Sequence, residues 1–224
     1  MKLILGNKNY SSWSLRPWLL LSVHSIPFEE MVIPLYTDSS SEQLARNTEA
    51  GKVPVLRDGE LLVWDSLAIC EYVSERYLGG RGWPADAKAR ALARSCSAEM
   101  HSGFLQLREK LPMNCRATGR HVPLTPQLAK EIARIDALWS KMRLAYAAHG
   151  PWLFGEFSIA DAMFAPVVLR FNTYGITVAE TCDKYMKHVL ANEKLQRWIR
   201  QATQEIEVLE HCEVGVLPQG GALK

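Results

Sequence analysis

The sequence predicts an α/β N-terminal domain of order βαβαββα followed by an all-α C-terminal domain. Three observations carry this. Strand and helix patterns alternate over residues 1–78, an Asp58-Gly59 dipeptide joins two short apolar runs, and no strong strand signal follows the glycine-rich stretch 78–84.

Residues 2–6 read as a buried strand and 15–24 as a helix begun by Ser14, with Pro17 in its first turn. Residues 28–33 read as a second strand and 37–47 as a short irregular helix. Val55-Leu56-Arg57 and Leu61-Leu62-Val63 flank Asp58-Gly59, a tight-turn signal because glycine takes positive φ cheaply, so the third and fourth strands are expected to be antiparallel. A helix from Ser66 to about Tyr77 places Leu67, Ile69, Cys70 and Val73 at helical spacing. The expected division is then a first domain over 1–78, a linker over 79–86, a helical domain over 87–212 and a mobile tail over 213–224. Within the second domain, residues 87–111, 125–148, 158–171, 179–190 and 194–209 read as helices.

The chain has 224 residues, 48% hydrophobic and 22% charged, an ordinary globular balance. Its net charge of +2 comes from 26 basic and 24 acidic residues without a Lys/Arg cluster, so nucleic acid is not an expected partner. The opening apolar run is too short for a signal peptide or a membrane span, which implies a cytoplasmic protein with no membrane partner. Five widely spaced cysteines without a C-x-x-C pair, and six histidines without ligand spacing, give no disulfide framework and no metal site.

Three short segments carry chemistry. Pro54 cannot join a ladder at the start of the third strand, so Val53-Pro54 is a candidate for the rare cis bond, which would turn the Val53 backbone outward to pair with an extended peptide. Asp65-Ser66 opens a helix, where free N–H groups favour a carboxylate, the Ser66 hydroxyl adds a donor and Asp65 complements an ammonium; capping alone would also suit both residues. Tyr10-Ser11-Ser12-Trp13-Ser14 lies between the first strand and first helix, placing hydroxyls where a thiolate would gain from O–H donation.

Taken together, the serine-rich first turn, Gly51-Lys52-Val53-Pro54-Val55-Leu56 and Trp64-Asp65-Ser66-Leu67-Ala68-Ile69 resemble the glutathione transferase family. Phe157-Ser158-Ile159-Ala160-Asp161 resembles that family's capping box in the helical domain, a folding element in which Ser158 and Asp161 satisfy backbone donors reciprocally. The resemblance implies a thioredoxin-like first domain that binds glutathione through Trp13, Lys52, Val53, Pro54, Asp65 and Ser66, with Ser11 or Ser12 activating the thiol and Ser11 slightly favoured. Lys52 would reach the glycyl carboxylate. The first turn most resembles the Ser-Ser-Cys segment of zeta-class members, with Trp13 where those carry cysteine, so thiol transfer through a mixed disulfide is disfavoured.

The implied activity is conjugation of the glutathione thiolate, a co-substrate used without metal, to small apolar electrophiles in detoxification. Isomerase or peroxidase activity, or a non-catalytic binding role, are the alternatives. A homodimer is implied, and Phe104, Arg108, Met113 and Asn114 are candidates for the electrophile pocket.

Overall fold

The computed structural model describes residues 1–216. Its first part runs β1 (Lys2–Leu5), α1 (Ser12–Val23), β2 (Glu29–Val32), α2 (Ser40–Asn47), β3 (Val55–Asp58), β4 (Leu61–Trp64) and α3 (Ser66–Leu78), the expected βαβαββα order. The sheet order is β2-β1-β3-β4, with β1 parallel to β2 and antiparallel to β3. Asp58 pairs with Leu61, so the hairpin loop is Gly59-Glu60, one residue later than the dipeptide implied, with Gly59 supplying φ of 60°.

Alternation along β1 sorts the layers. Leu3 and Leu5 join the large core with Leu15, Trp18 and Ile69 from α1 and α3, whereas Ile4 faces the opposite side with Val55, Ile33 and Leu44 of α2. That leaves α1 and α3 on the face where the helical part docks.

The helical part comprises α4 (Ala87–Ser102), α5 (Leu105–Lys110), α6 (Pro126–Tyr146), α7 (Ile159–Thr173), α8 (Glu180–Ala191) and α9 (Glu193–Ala202). At its centre α7 is buried on nearly every face, touching α1, α4 and α8. Its first turn carries the expected capping box. Asp161 also accepts from Leu153 N (3.0 Å), the Tyr185 hydroxyl (3.1 Å) and the Ser158 hydroxyl (3.2 Å). Burial pushes its carboxyl up to about 6 against these donors.

Four expectations need correction. First, α1 starts at Ser12 with Ser11 as its cap, so Pro17 lies beyond the first turn, where it cannot donate to the Trp13 carbonyl. Second, the helix expected over 87–111 is two: Phe104 takes left-handed φ of 59° after Gly103, and the Glu131 carboxylate from α6 caps the new start by accepting from Gln106 N and Leu107 N at 3.3 and 2.8 Å. Third, α9 ends at Ala202, because Glu205 turns back to accept from Lys8 N and Asn9 N at 2.6 and 3.0 Å. Fourth, the tail expected from 213 is tied down at its start. Glu213 pairs with Arg120 at 2.7 Å, and Val216 bridges His121; the remainder of that tail, 217–224, lies outside the described residues.

These late segments hold the loop between β1 and α1. Glu205 takes two of its amides, Glu213 accepts from the Tyr10 hydroxyl at 2.7 Å, and Asn114 accepts from the Asn9 amide at 3.1 Å. Lys8 is buried between the rings of Trp18 and Trp198, 5.3 Å from each, and is paired with Glu30. The serine-rich turn is therefore positioned by residues from the opposite end of the chain.

Candidate functional site

A cleft of about 410 Å³ is lined by Trp13, Lys52, Val53, Pro54, Asp65 and Ser66, the whole predicted peptide-binding set, with Ala50 and Trp64. The Val53–Pro54 bond is cis. Among the described residues, neither the Val53 amide nor its carbonyl takes an intramolecular hydrogen-bond partner, so both are available at the cleft wall.

Asp65 sits at φ 74° as N-cap of α3, its Oδ1 accepting from Leu67 N (2.9 Å) and Ala68 N (3.1 Å). Its Oδ2 lies 3.1 Å from His101 Nε2 on α4. Burial lowers the His101 pKa against the pull of Asp65, which favours the neutral ring. Capping and cleft lining thus coexist in one carboxylate. Sequence reasoning missed His101, because no local signal marks a histidine that one helix aims at the cap of another.

Ser66, the first residue of α3, is buried, and its Oγ accepts from Arg16 Nη1 at 3.2 Å. Trp13 stands beside two guanidinium groups, with Arg16 4.3 Å and Arg108 4.8 Å from the ring centroid and the His101 ring edge-on at 5.4 Å. Lys52 is exposed at the rim.

The two serines differ sharply. Ser11 Oγ accepts from Ser14 N at 3.3 Å and donates to Ser14 Oγ at 2.7 Å, and Ser14 Oγ in turn accepts from Gly6 N. Both capacities of the Ser11 hydroxyl are used in joining β1 to α1. Ser12 Oγ accepts from Arg170 Nη2 of α7 at 3.2 Å and makes no other hydrogen bond among the described residues, so its proton is free to be donated.

A second cleft of about 730 Å³ shares Trp13, Lys52 and Val53 with the first and extends past Ser11 and Ser12. Its other walls include Tyr10, Tyr36, Leu209, His211 and Cys212. Tyr36 and His211 meet edge-on at 4.8 Å, bridging from the segment after β2 to the C-terminal turn.

None of the four candidate electrophile residues lines either cleft. Phe104 and Met113 are buried in the core, and Asn114 is occupied with Asn9 and Glu213. Arg108 spends its donors on the Gly103 and Met100 carbonyls while its face rests over Trp13. The backbone breaks at Gly103–Phe104 before α5, and Leu209, His211 and Cys212 of the C-terminal turn line the second cleft.

Electrostatically the site is positive. Arg16, Arg108 and Arg170 surround Trp13 and Ser12, and α1 and α3 both start at the clefts. Burial lowers the Arg16 and Arg170 pKa values to about 9 and about 10.

Comparison with known proteins bears on the fold. Residues 10–76 match the family model described as glutathione S-transferase, N-terminal domain. Glutathione S-transferase GstB of Escherichia coli is 26% identical over 211 residues, 89% of this chain and 92% of that protein. Dichloromethane dehalogenase of Methylorubrum extorquens is 43% identical, but over 60 residues only, 26% of this chain and 21% of that protein. Among solved structures, a glutathione transferase homolog from Burkholderia with bound glutathione superposes with a TM-score of 0.67 at 22% identity, covering 90% of this chain and 97% of that one. Residues 10–76 are thus similar to the N-terminal domain of glutathione S-transferases, and the chain has the thioredoxin-like plus helical fold of these structural neighbours.

Proposed function

We propose that this protein binds glutathione with its γ-glutamyl end at Asp65 and Ser66 and its central peptide along Val53, and transfers the thiolate to small apolar electrophiles. The observation that carries this is the convergence of the unpaired Val53 backbone, the start of α3 and the start of α1 on two joined clefts. Ser12, with its free proton, is the thiol-activating hydroxyl; Ser11 is the helix cap. Donation to the sulfur stabilises the thiolate over the thiol and lowers its pKa, so the nucleophile exists near neutral pH without a side-chain base. The electrophile is held in the second cleft between Tyr10, Leu209 and Cys212, and Lys52 reaches the glycyl carboxylate.

A homodimer in the cytoplasm with a detoxifying role belongs to the same reading. The exposed Trp64, Tyr77 and Leu92 of β4, α3 and α4 supply apolar area for a subunit contact. No helix among the described residues is long and apolar enough to cross a membrane.

The test is calorimetric titration with glutathione, followed by a panel of halogenated aromatics, hydroperoxides and unsaturated diacids that separates conjugation from peroxidase and isomerase activity. Saturable binding with turnover of the halogenated compounds is expected. Binding without turnover of any panel member would leave a glutathione-binding protein and overturn the transferase reading. Light scattering at the mass of one chain would refute the dimer.

A further inference from the structure

Two serines face the clefts from the starts of two helices, and each is backed by a buried arginine. Arg16 Nη1 donates to Ser66 Oγ and Arg170 Nη2 to Ser12 Oγ, both at 3.2 Å. Resting on the glutathione reading above, we propose that Arg16 and Arg170 are positioning residues. They hold Ser66 and Ser12 as one-way donors toward the two anionic groups of the bound tripeptide, the γ-glutamyl carboxylate and the thiolate.

A guanidinium has donors and no acceptor, so the oxygen it meets is occupied and the hydroxyl proton must point elsewhere. Both serines line the clefts, Ser66 the first and Ser12 the second, where a bound anion can take that proton. A serine in water is free to rotate and to accept; these two are pre-set as donors, which removes the reorganisation that a transient anion would otherwise require.

A purely structural role does not account for either arginine. Arg16 is fully buried and Arg170 nearly so, yet among the described residues no carboxylate lies within ion-pair distance of either. Burying a cation without a counter-ion is costly, and such cations are normally paired. Arg16 also leaves Nε and Nη2 without partners. Arg170 does serve the fold through Nη1, which donates to the Arg108 carbonyl at 3.3 Å and to the Leu111 carbonyl, but Nη2 goes to Ser12. The charged and titratable groups facing them offset this only in part, Asp65 acting on Arg16 from beyond ion-pair distance. Arg108 repels both; Asp65 and Cys70 lie near Arg16, and Tyr174, Cys115 and Cys212 near Arg170. An anionic ligand supplies the missing negative charge, and the poorly screened interior transmits the field.

The experiment compares the full-length wild type with Arg170→Met, Arg170→Lys and Arg16→Met. Two quantities are read: affinity for S-methylglutathione, which has no ionisable thiol, and the pKa of bound glutathione from thiolate ultraviolet absorbance. Arg170→Met is expected to raise the bound thiol pKa by about one unit while S-methylglutathione affinity stays within about threefold. Arg170→Lys, which keeps the charge but cannot span Ser12 and the α5 carbonyls together, should fall between. Arg16→Met should show the reverse, an affinity loss of about tenfold with a thiol pKa shifted by less than about half a unit.

A folded Arg170→Met with the wild-type thiol pKa, or a folded Arg16→Met with the wild-type affinity, overturns the proposal. Should Arg170→Met fail to fold, Arg170→Lys decides by the same criterion. Failure of the glutathione reading would show separately, as a wild type without affinity for S-methylglutathione, and would take the proposal with it.

Discussion

Replacing Ser11 and Ser12 by alanine in turn should separate a fold function from a chemical one within two adjacent residues. Ser12 Oγ receives only Arg170 and has its proton to give, so in Ser12→Ala the bound thiolate loses a charge-assisted donor. Hydrogen bonds to charged groups contribute about 1.5–3 kcal/mol, which corresponds to a thiol pKa rise of about one to two units. Ser11 Oγ is spent on Ser14 N and Ser14 Oγ, so Ser11→Ala removes an N-cap at a cost of about 1 kcal/mol. Its effect on the thiol should be small. The assay pairs pH titration of thiolate absorbance with urea unfolding. Ser12→Ala should shift the first and hardly the second, and Ser11→Ala the reverse. A Ser11→Ala thiol pKa that rises as far as that of Ser12→Ala would refute the assignment.

Asp65→Ala should weaken retention on immobilised glutathione more than Lys52→Ala, since Asp65 is fixed by two backbone donors and His101 whereas Lys52 is exposed; equal elution would contradict this. Lys8→Met should lower stability by about 2 kcal/mol in thermal unfolding, because it removes a charge-assisted hydrogen bond from Glu30, which keeps Trp18 Nε1 and Arg197, and takes the cation from between Trp18 and Trp198; a loss below about 0.5 kcal/mol would mean that the pair is neutral. Asp161→Ala leaves buried donors on Leu153, Ser158 and Tyr185 unsatisfied, and a loss of about 3–5 kcal/mol is expected. The Asp161 carboxyl is raised to about 6, above its value near 4 in an unfolded chain. Its contribution is therefore fully present below about pH 4 and lost as pH rises through about 6. Urea midpoints of wild type and Asp161→Ala should accordingly differ more at about pH 5 than at about pH 7.5, and an equal gap would refute the sign.

The corrected elements share a physical cause. The break at Gly103–Phe104 depends on Glu131 capping the second helix from α6, and the end of α9 on Glu205 finding two amides in the loop after β1. Neither partner is near in sequence, so periodicity alone carried both helices too far. The lining of the second cleft by Leu209, His211 and Cys212 was not legible for the same reason, since the C-terminal turn reaches it only after folding back.

What the sequence determined by itself is local. The βαβαββα order follows from apolar spacing, the hairpin from Asp58-Gly59, the cap of α3 from Asp65, and the set lining the first cleft from segments whose chemistry depends on immediate neighbours. The tertiary structure alone decided which hydroxyl is free to act. Ser11 and Ser12 are the same residue type side by side, and they part because Ser11 gives its proton to Ser14 Oγ while Ser12 only accepts, from an arginine 158 positions away. Hydrogen-bond direction is set by partners, and partners are set by the fold.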